Sequence, residues 1–217
     1  MAIQNPGPKP GRMLLHWSPR SPFVRKVMVV AHELGLQDRL DCVRTVVGGT
    51  IIHRELMTEN PLGKLPTLVL ADGRVLYDSH VICEYFDSLD TGPRLFPAEG
   101  EARMDALRRA ALGDGMLDVG LAWLGERGRP AERQSPEHIA MWRAKLQACV
   151  DHLEAEADEL AATSYNIGHV AIGIALGYLD FRFAEEGFRA RHPRIGAWLD
   201  GFNARPAVRA NAPVDDK

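Results

Sequence analysis

The stretch from Asn60 to Ser79 limits the fold most sharply. Pro66 stands directly before a short apolar run, Thr67 to Leu70; Asp72-Gly73 follows, then Val75-Leu76, then a helix start at Asp78-Ser79. Two apolar runs joined by Asp-Gly predict a hairpin of paired strands. Proline cannot donate to a strand ladder, so Pro66 belongs at the opening of the first strand, where a cis Leu65-Pro66 bond fits. Such a turn leaves the backbone groups of Leu65 unpaired and facing outward.

Upstream, Met13-Leu14-Leu15-His16-Trp17 is short and apolar enough for a buried strand. The turn Ser18-Pro19-Arg20-Ser21-Pro22 then ends in a helix start, with Ser21 as N-cap and Pro22 at the first helical position. Phe23, Val27, Val30, Ala31 and Leu34 give this helix one apolar face before Gly35 stops it, and a strand over Asp41 to Val46 follows. Strand, helix, strand predicts a βαβ unit with a parallel pair. Gly48 to Glu55 reads as a loop and a short helix. Val81, Ile82, Tyr85, Phe86 and Leu89 recur at helical spacing, which predicts an amphipathic helix over 78–89.

Residues 1–12, rich in proline and glycine, read as a flexible tail. Residues 13–90 form an α/β domain, 91–100 a linker, and 101–217 an all-helical domain. In the last, helices are expected over 101–127, 135–162, about 166–183 and 193–204. The third is apolar on nearly every face, which places it at the centre of a bundle, with Gly168, Gly173 and Gly177 allowing close helix contacts.

With 217 residues, 46% of them hydrophobic and 25% charged, the chain can bury a sizeable core. Its formal net charge of -3 argues against a nucleic-acid partner. Cys42, Cys83 and Cys149 are far apart, so neither a disulfide framework nor a metal site is expected. No run reaches membrane-spanning length and the start does not read as a signal peptide. The expectation is a cytoplasmic protein without a metal.

In this order of elements the chain resembles the glutathione transferase superfamily, whose first domain is thioredoxin-like and whose second is a helical bundle. The resemblance runs from about Leu14 to Arg205 and is most specific in the first domain. It implies that Leu65, before a cis Pro66, pairs its backbone with the cysteinyl part of glutathione, and that Asp78 and Ser79 hold the γ-glutamyl end. The chemistry agrees: a helix N-terminus suits the carboxylate of an α-amino acid end and Asp78 suits its ammonium, although either residue is also an ordinary N-cap. The resemblance further implies roles for His53 and Lys64 toward the rest of glutathione. Ser21-Pro22-Phe23 stands where relatives nearest in pattern, the zeta, beta and omega-like classes, carry a catalytic Ser or Cys. A hydroxyl donating to sulfur at the positive end of a helix dipole favours the thiolate, which is the nucleophile. Ser21 is therefore the expected catalytic residue, with Ser18 its rival and Phe23 beside the substrate; Arg20 and Arg25 need be no more than solvated charges.

The implied activity is a glutathione S-transferase, a homodimer that uses glutathione as co-substrate. It would join the thiolate to a small hydrophobic electrophile or catalyse a glutathione-dependent isomerisation. A non-catalytic regulator or ligand-binding protein of the same fold is the alternative. Trp17, Asp114, Leu117 and Trp123 are expected around a second-substrate pocket, against the usual reading of a Trp or Leu at helical spacing as core. One departure stands out. Relatives begin the central bundle helix with Ser or Thr and, three residues on, Asp; here Asn166 and His169 stand instead, and His is expected to close the cap poorly.

Overall fold

In the computed structural model, which describes residues 9–89 and 91–215, the chain forms two units. One is built from the chain up to Arg94 together with the residues from Asn211 onward, the other from Leu95–Ala210. Residues 1–8 of the expected tail and Asp90, the expected end of the first domain, lie outside the described residues.

The first unit is a four-stranded sheet with helices. It comprises β1 (Met13–Trp17), α1 (Pro22–Glu33), β2 (Leu40–Arg44), α2 (Arg54–Glu59), β3 (Thr67–Val69), β4 (Val75–Leu76) and α3 (Ser79–Ser88). The strand order is β2-β1-β3-β4. β1 is parallel to β2, with Leu15 opposite Cys42, while β1–β3 and β3–β4 are antiparallel. Leu14, Leu15, Val27, Val30, Leu68, Ile82 and Phe86 are buried, so the predicted stripe of α1 faces a core, whereas in that of α3 Ile82 and Phe86 do so and Val81 is exposed. The order is thioredoxin-like, as expected. Arg12 departs from the tail reading: its Nε pairs with Asp41 at 2.7 Å and its Nη2 donates to the Leu40 carbonyl at 2.8 Å, which ties the chain to the start of β2.

The second unit is all-helical: α4 (Gly100–Arg127), α5 (Pro136–Ala155), α6 (Ala157–Ala162), α7 (Ile167–Arg182), α8 (Phe188–Arg191), α9 (Pro193–Asn203) and α10 (Pro206–Ala210). The helix expected over 135–162 breaks at Glu156, and α10 lies beyond the last helix expected. α7 is central, as its all-round apolar sequence predicts, and is buried over nearly its whole length. Glycine sets its approach to α4: a Cβ on Gly113 would lie 2.5 Å from the Ala171 carbonyl carbon. Among the described residues no single helix is long and apolar enough to cross a membrane.

The start of α7 corrects one expectation. His169 closes the cap: its Nδ1 accepts from the Asn166 N–H at 3.2 Å, while Asn166 Oδ1 accepts from Gly168 N–H at 2.9 Å. The other ring nitrogen, Nε2, donates to the Leu160 carbonyl at 3.0 Å. Imidazole outreaches a carboxylate and carries a donor as well as an acceptor, so one side chain serves two backbone groups from α6 and α7. Burial holds the ring's pKa below its ordinary value, with the nearby Arg109 acting in the same direction and the bond to Leu160 opposing it.

Candidate functional site

Sheet topology gathers the first-unit candidates at one end. β1 runs antiparallel to β3 with His16 opposite Thr67, so the end of β1 lies beside the start of β3. β4 runs back along β3, Leu76 opposite Leu68, and so delivers Asp78-Ser79 to that same end. The Ser18–Ser21 turn, Leu65-Pro66 and the start of α3 therefore converge, although 60 residues of chain separate the first from the last. Leu65 packs with Val24 of α1 and Leu56 of α2, and Trp17 lies against this cluster.

At the start of α1, Ser21 Oγ accepts from the Val24 N–H at 3.3 Å, and the Ser21 carbonyl accepts from the Arg25 N–H at 3.0 Å. The cap uses a lone pair and leaves the hydroxyl proton to donate. Ser21 is half-buried; Ser18 is only 8% exposed, its Oγ accepting from Arg20 N–H at 3.4 Å. Phe23 is partly buried. Arg25 contradicts its reading as a solvated charge. It is buried, its Nε donates to the Asn211 carbonyl at 2.8 Å, and burial pushes its pKa down to about 10.

Across from α1, the Leu65-Pro66 bond is cis, as expected. Among the described residues neither the N–H nor the carbonyl of Leu65 has a hydrogen-bond partner. The loop before it is braced by two residues that the sequence reading passed over. Asn60, 1% exposed, donates from Nδ2 to Thr67 Oγ1 at 2.9 Å and to the Lys64 carbonyl at 3.3 Å, and accepts from the Leu62 N–H at 3.0 Å. Thr67 Oγ1 in turn donates to the Lys64 carbonyl at 2.9 Å. Asn directly before Pro was the available signal, because an Asn side chain bonds the backbone two residues on. The Lys64 side chain is exposed. His53 caps α2 through Nδ1, which accepts from the Leu56 N–H at 3.1 Å, so its ring carries the proton on Nε2. His16, also unforeseen, is buried between Thr45 Oγ1 at 2.9 Å and Glu59 Oε2 at 2.6 Å and links β1 to the end of α2.

At the third corner, Asp78 Oδ1 accepts from the His80 and Val81 N–H groups at 3.0 and 3.4 Å. Asp78 is exposed and Ser79 buried. The capping role of Asp78 is thus present, and it occupies one oxygen of the carboxylate. The three remaining candidates belong to α4. Trp123 is 2% exposed, stacked on Phe183 with ring centroids 4.5 Å apart, and Leu117 is 1% exposed. Both are core side chains with no surface for a ligand, which corrects their reading as pocket walls; Asp114 is partly buried.

Comparison with known proteins agrees with this architecture. The glutathione S-transferase N-terminal domain family matches residues 20–89 and the corresponding C-terminal domain family matches residues 136–201. A glutathione transferase family member of Pseudomonas fluorescens, solved with bound glutathione, is 37% identical over 93% of this chain and 99% of its own, with a TM-score of 0.89. The chain belongs to the glutathione S-transferase superfamily. A second structure from Pseudomonas fluorescens, with bound S-(propanoic acid)-glutathione, is also 37% identical over 93% of this transferase-family chain and 99% of its own, at a TM-score of 0.85. The GST-like protein YibF of Escherichia coli is 29% identical over 93% of the chain and 98% of its own length.

Proposed function

We propose that this protein is a cytoplasmic glutathione transferase in which Ser21 donates a hydrogen bond to the glutathione sulfur and holds it as thiolate. The observation that carries the reading is the division of labour at Ser21: the oxygen caps α1 with a lone pair while its proton stays available, at the positive end of a 12-residue helix. Leu65 offers an unpartnered backbone N–H and carbonyl for the cysteinyl part. Asp78 has a second carboxylate oxygen for the γ-glutamyl ammonium, and the N-terminus of α3 at Ser79 suits its carboxylate. His53 Nε2, at the start of α2, and Lys64, in the loop before Leu65, are assigned to the rest of the tripeptide. Glutathione and a glutathione thioether bound in two similar structures support this choice of co-substrate.

The electrophile then meets an activated sulfur. The thiolate forms a carbon–sulfur bond while the electrophile loses a leaving group or a π bond; Ser21 stabilises the anion and does not itself attack. Turnover decides between Ser21 and its rival. Ser21→Ala should lower kcat ten- to a thousandfold, since one preorganised donor to an anion is worth about 1.4–4 kcal/mol. Glutathione binding should fall much less, and Ser18→Ala should be nearly silent. Ser21→Cys should move activity toward thiol transfer through a mixed disulfide. If Ser18→Ala removes activity while Ser21→Ala only lowers Tm, Ser21 is a cap and nothing more. We also propose a homodimer, for which light scattering should return about twice the 24.0 kDa chain mass; a monomer at micromolar concentration would contradict it.

A further inference from the structure

Arg20 is the residue immediately before Ser21, and its guanidinium already holds a carboxylate. Its Nε lies 3.0 Å from Asp215 Oδ1, with the two side chains 49% and 38% exposed. Asp215 lies in the C-terminal segment that belongs to the first unit. At the root of that segment Arg25, buried, donates to the Asn211 carbonyl at 2.8 Å. An ion pair exposed to this degree is weakly held and yields to competing anions. Guanidinium, a planar fork of donors, is the side chain best matched to a carboxylate. The turn that presents Arg20 is set by its own N–H, which bonds Ser18 Oγ, and by the Ser21 N–H, which donates to the Ser18 carbonyl at 3.2 Å.

We propose that Arg20 is a specificity-determining residue that seats the carboxylate of an acidic electrophile beside the sulfur, and that Asp215 occupies the same guanidinium until such a substrate displaces it. The proposal rests on Ser21 as the sulfur's partner and names the substrate class that this position selects. With an aryl chloride the step is a substitution: the thiolate forms a carbon–sulfur bond at the chlorinated carbon, and chloride leaves with the electron pair of the broken bond.

A matched pair of substrates tests it on the full-length protein: 4-chloro-3,5-dinitrobenzoate and 4-chloro-3,5-dinitrobenzamide, at saturating glutathione. The parent should prefer the acid in kcat/KM at least tenfold after correction for the uncatalysed rates. Arg20→Gln should collapse that ratio toward one, mainly through the acid's KM, and Arg20→Lys should restore part of it. Asp215→Asn should lower the acid's KM two- to fivefold and leave the amide's unchanged, because it removes the competing carboxylate. A parent without preference, or an Arg20→Gln protein with the parental ratio, would overturn the proposal. Ser21→Ala separates the two readings: if both substrates turn over at the parental rate in that variant, the Ser21 reading falls, while the Arg20 reading is still judged by its own ratio.

Discussion

The N-termini of α1 and α7 are built from the same parts and serve different ends. Each is capped by a polar side chain, Ser21 in one and Asn166 in the other. At α7 the cap is sealed: Asn166 and His169 are 6% and 3% exposed, and His169 spends both ring nitrogens on backbone groups. At α1 the cap is half-open, and Ser21 still has a proton to give. A cap with an unspent valence at a sheet end is available to a ligand; one whose valences are all met indoors is architecture.

The contrast can be pressed hardest at the seam behind the sealed cap. Gly113→Ala should cost about 3 kcal/mol, the upper end for overpacking, because the obstacle is the backbone of α7 and cannot swing aside. Thermal unfolding measures this. A variant at parental Tm would show that the two helices can move apart and that Gly113 does not set their approach.

At the open end, Asp78→Ala combined with Ser79→Ala should abolish retention on immobilised glutathione, each lost charge-assisted contact being worth about 1.5–3 kcal/mol. The circular dichroism spectrum should stay close to that of the parent, since the lost cap costs only about 1 kcal/mol. Parental retention would remove this corner of the site. Loss of the fold would reduce Asp78 to a cap like Asn166.

His169 sharpens the comparison from the sealed side. His169→Ala should destabilise by about 1–2 kcal/mol, through the lost cap and an unsatisfied Leu160 carbonyl. The pH dependence has a definite sign. The folded state lowers the ring's pKa, so the unfolded chain binds the proton more readily. This contribution is complete above the unfolded value of about 6.5 and is lost as pH falls from there toward the folded value. Denaturant titrations at pH 7.5 and 5.0 should thus show a larger loss of stability in the parent than in His169→Ala. An equal loss in both would mean that His169 does not titrate differently on folding.

How far the sequence disclosed this molecule follows from which signals are local. Pro66, Asp72-Gly73 and Ser21-Pro22 act through their own backbone torsions and donors, so the hairpin, the cis bond and the start of α1 could be read directly. Ser21, Leu65 and Asp78 were grouped only through the resemblance, and the strand register is what brings them to one end of the sheet. The roles of Arg25, His169, Trp123 and the Asn60–Thr67 brace depend on partners distant in the chain or on side-chain direction, and the propensities of single residues carry neither. A lone Arg and a helical Trp therefore gave their average behaviour, one solvated and one ambiguous between core and pocket, where packing had decided otherwise.

The central claim is that Ser21 spends its free proton on a thiolate, and the thiolate can be watched directly. Its absorbance near 240 nm, titrated against pH in the complex with glutathione, gives the apparent pKa of the bound thiol. In the parent this should lie at least one unit below that of free thiol, near 8.5. In Ser21→Ala it should rise by about one unit, or 1.4 kcal/mol, while Ser18→Ala titrates like the parent. Identical titrations in the parent and Ser21→Ala, with glutathione bound in both, would contradict it.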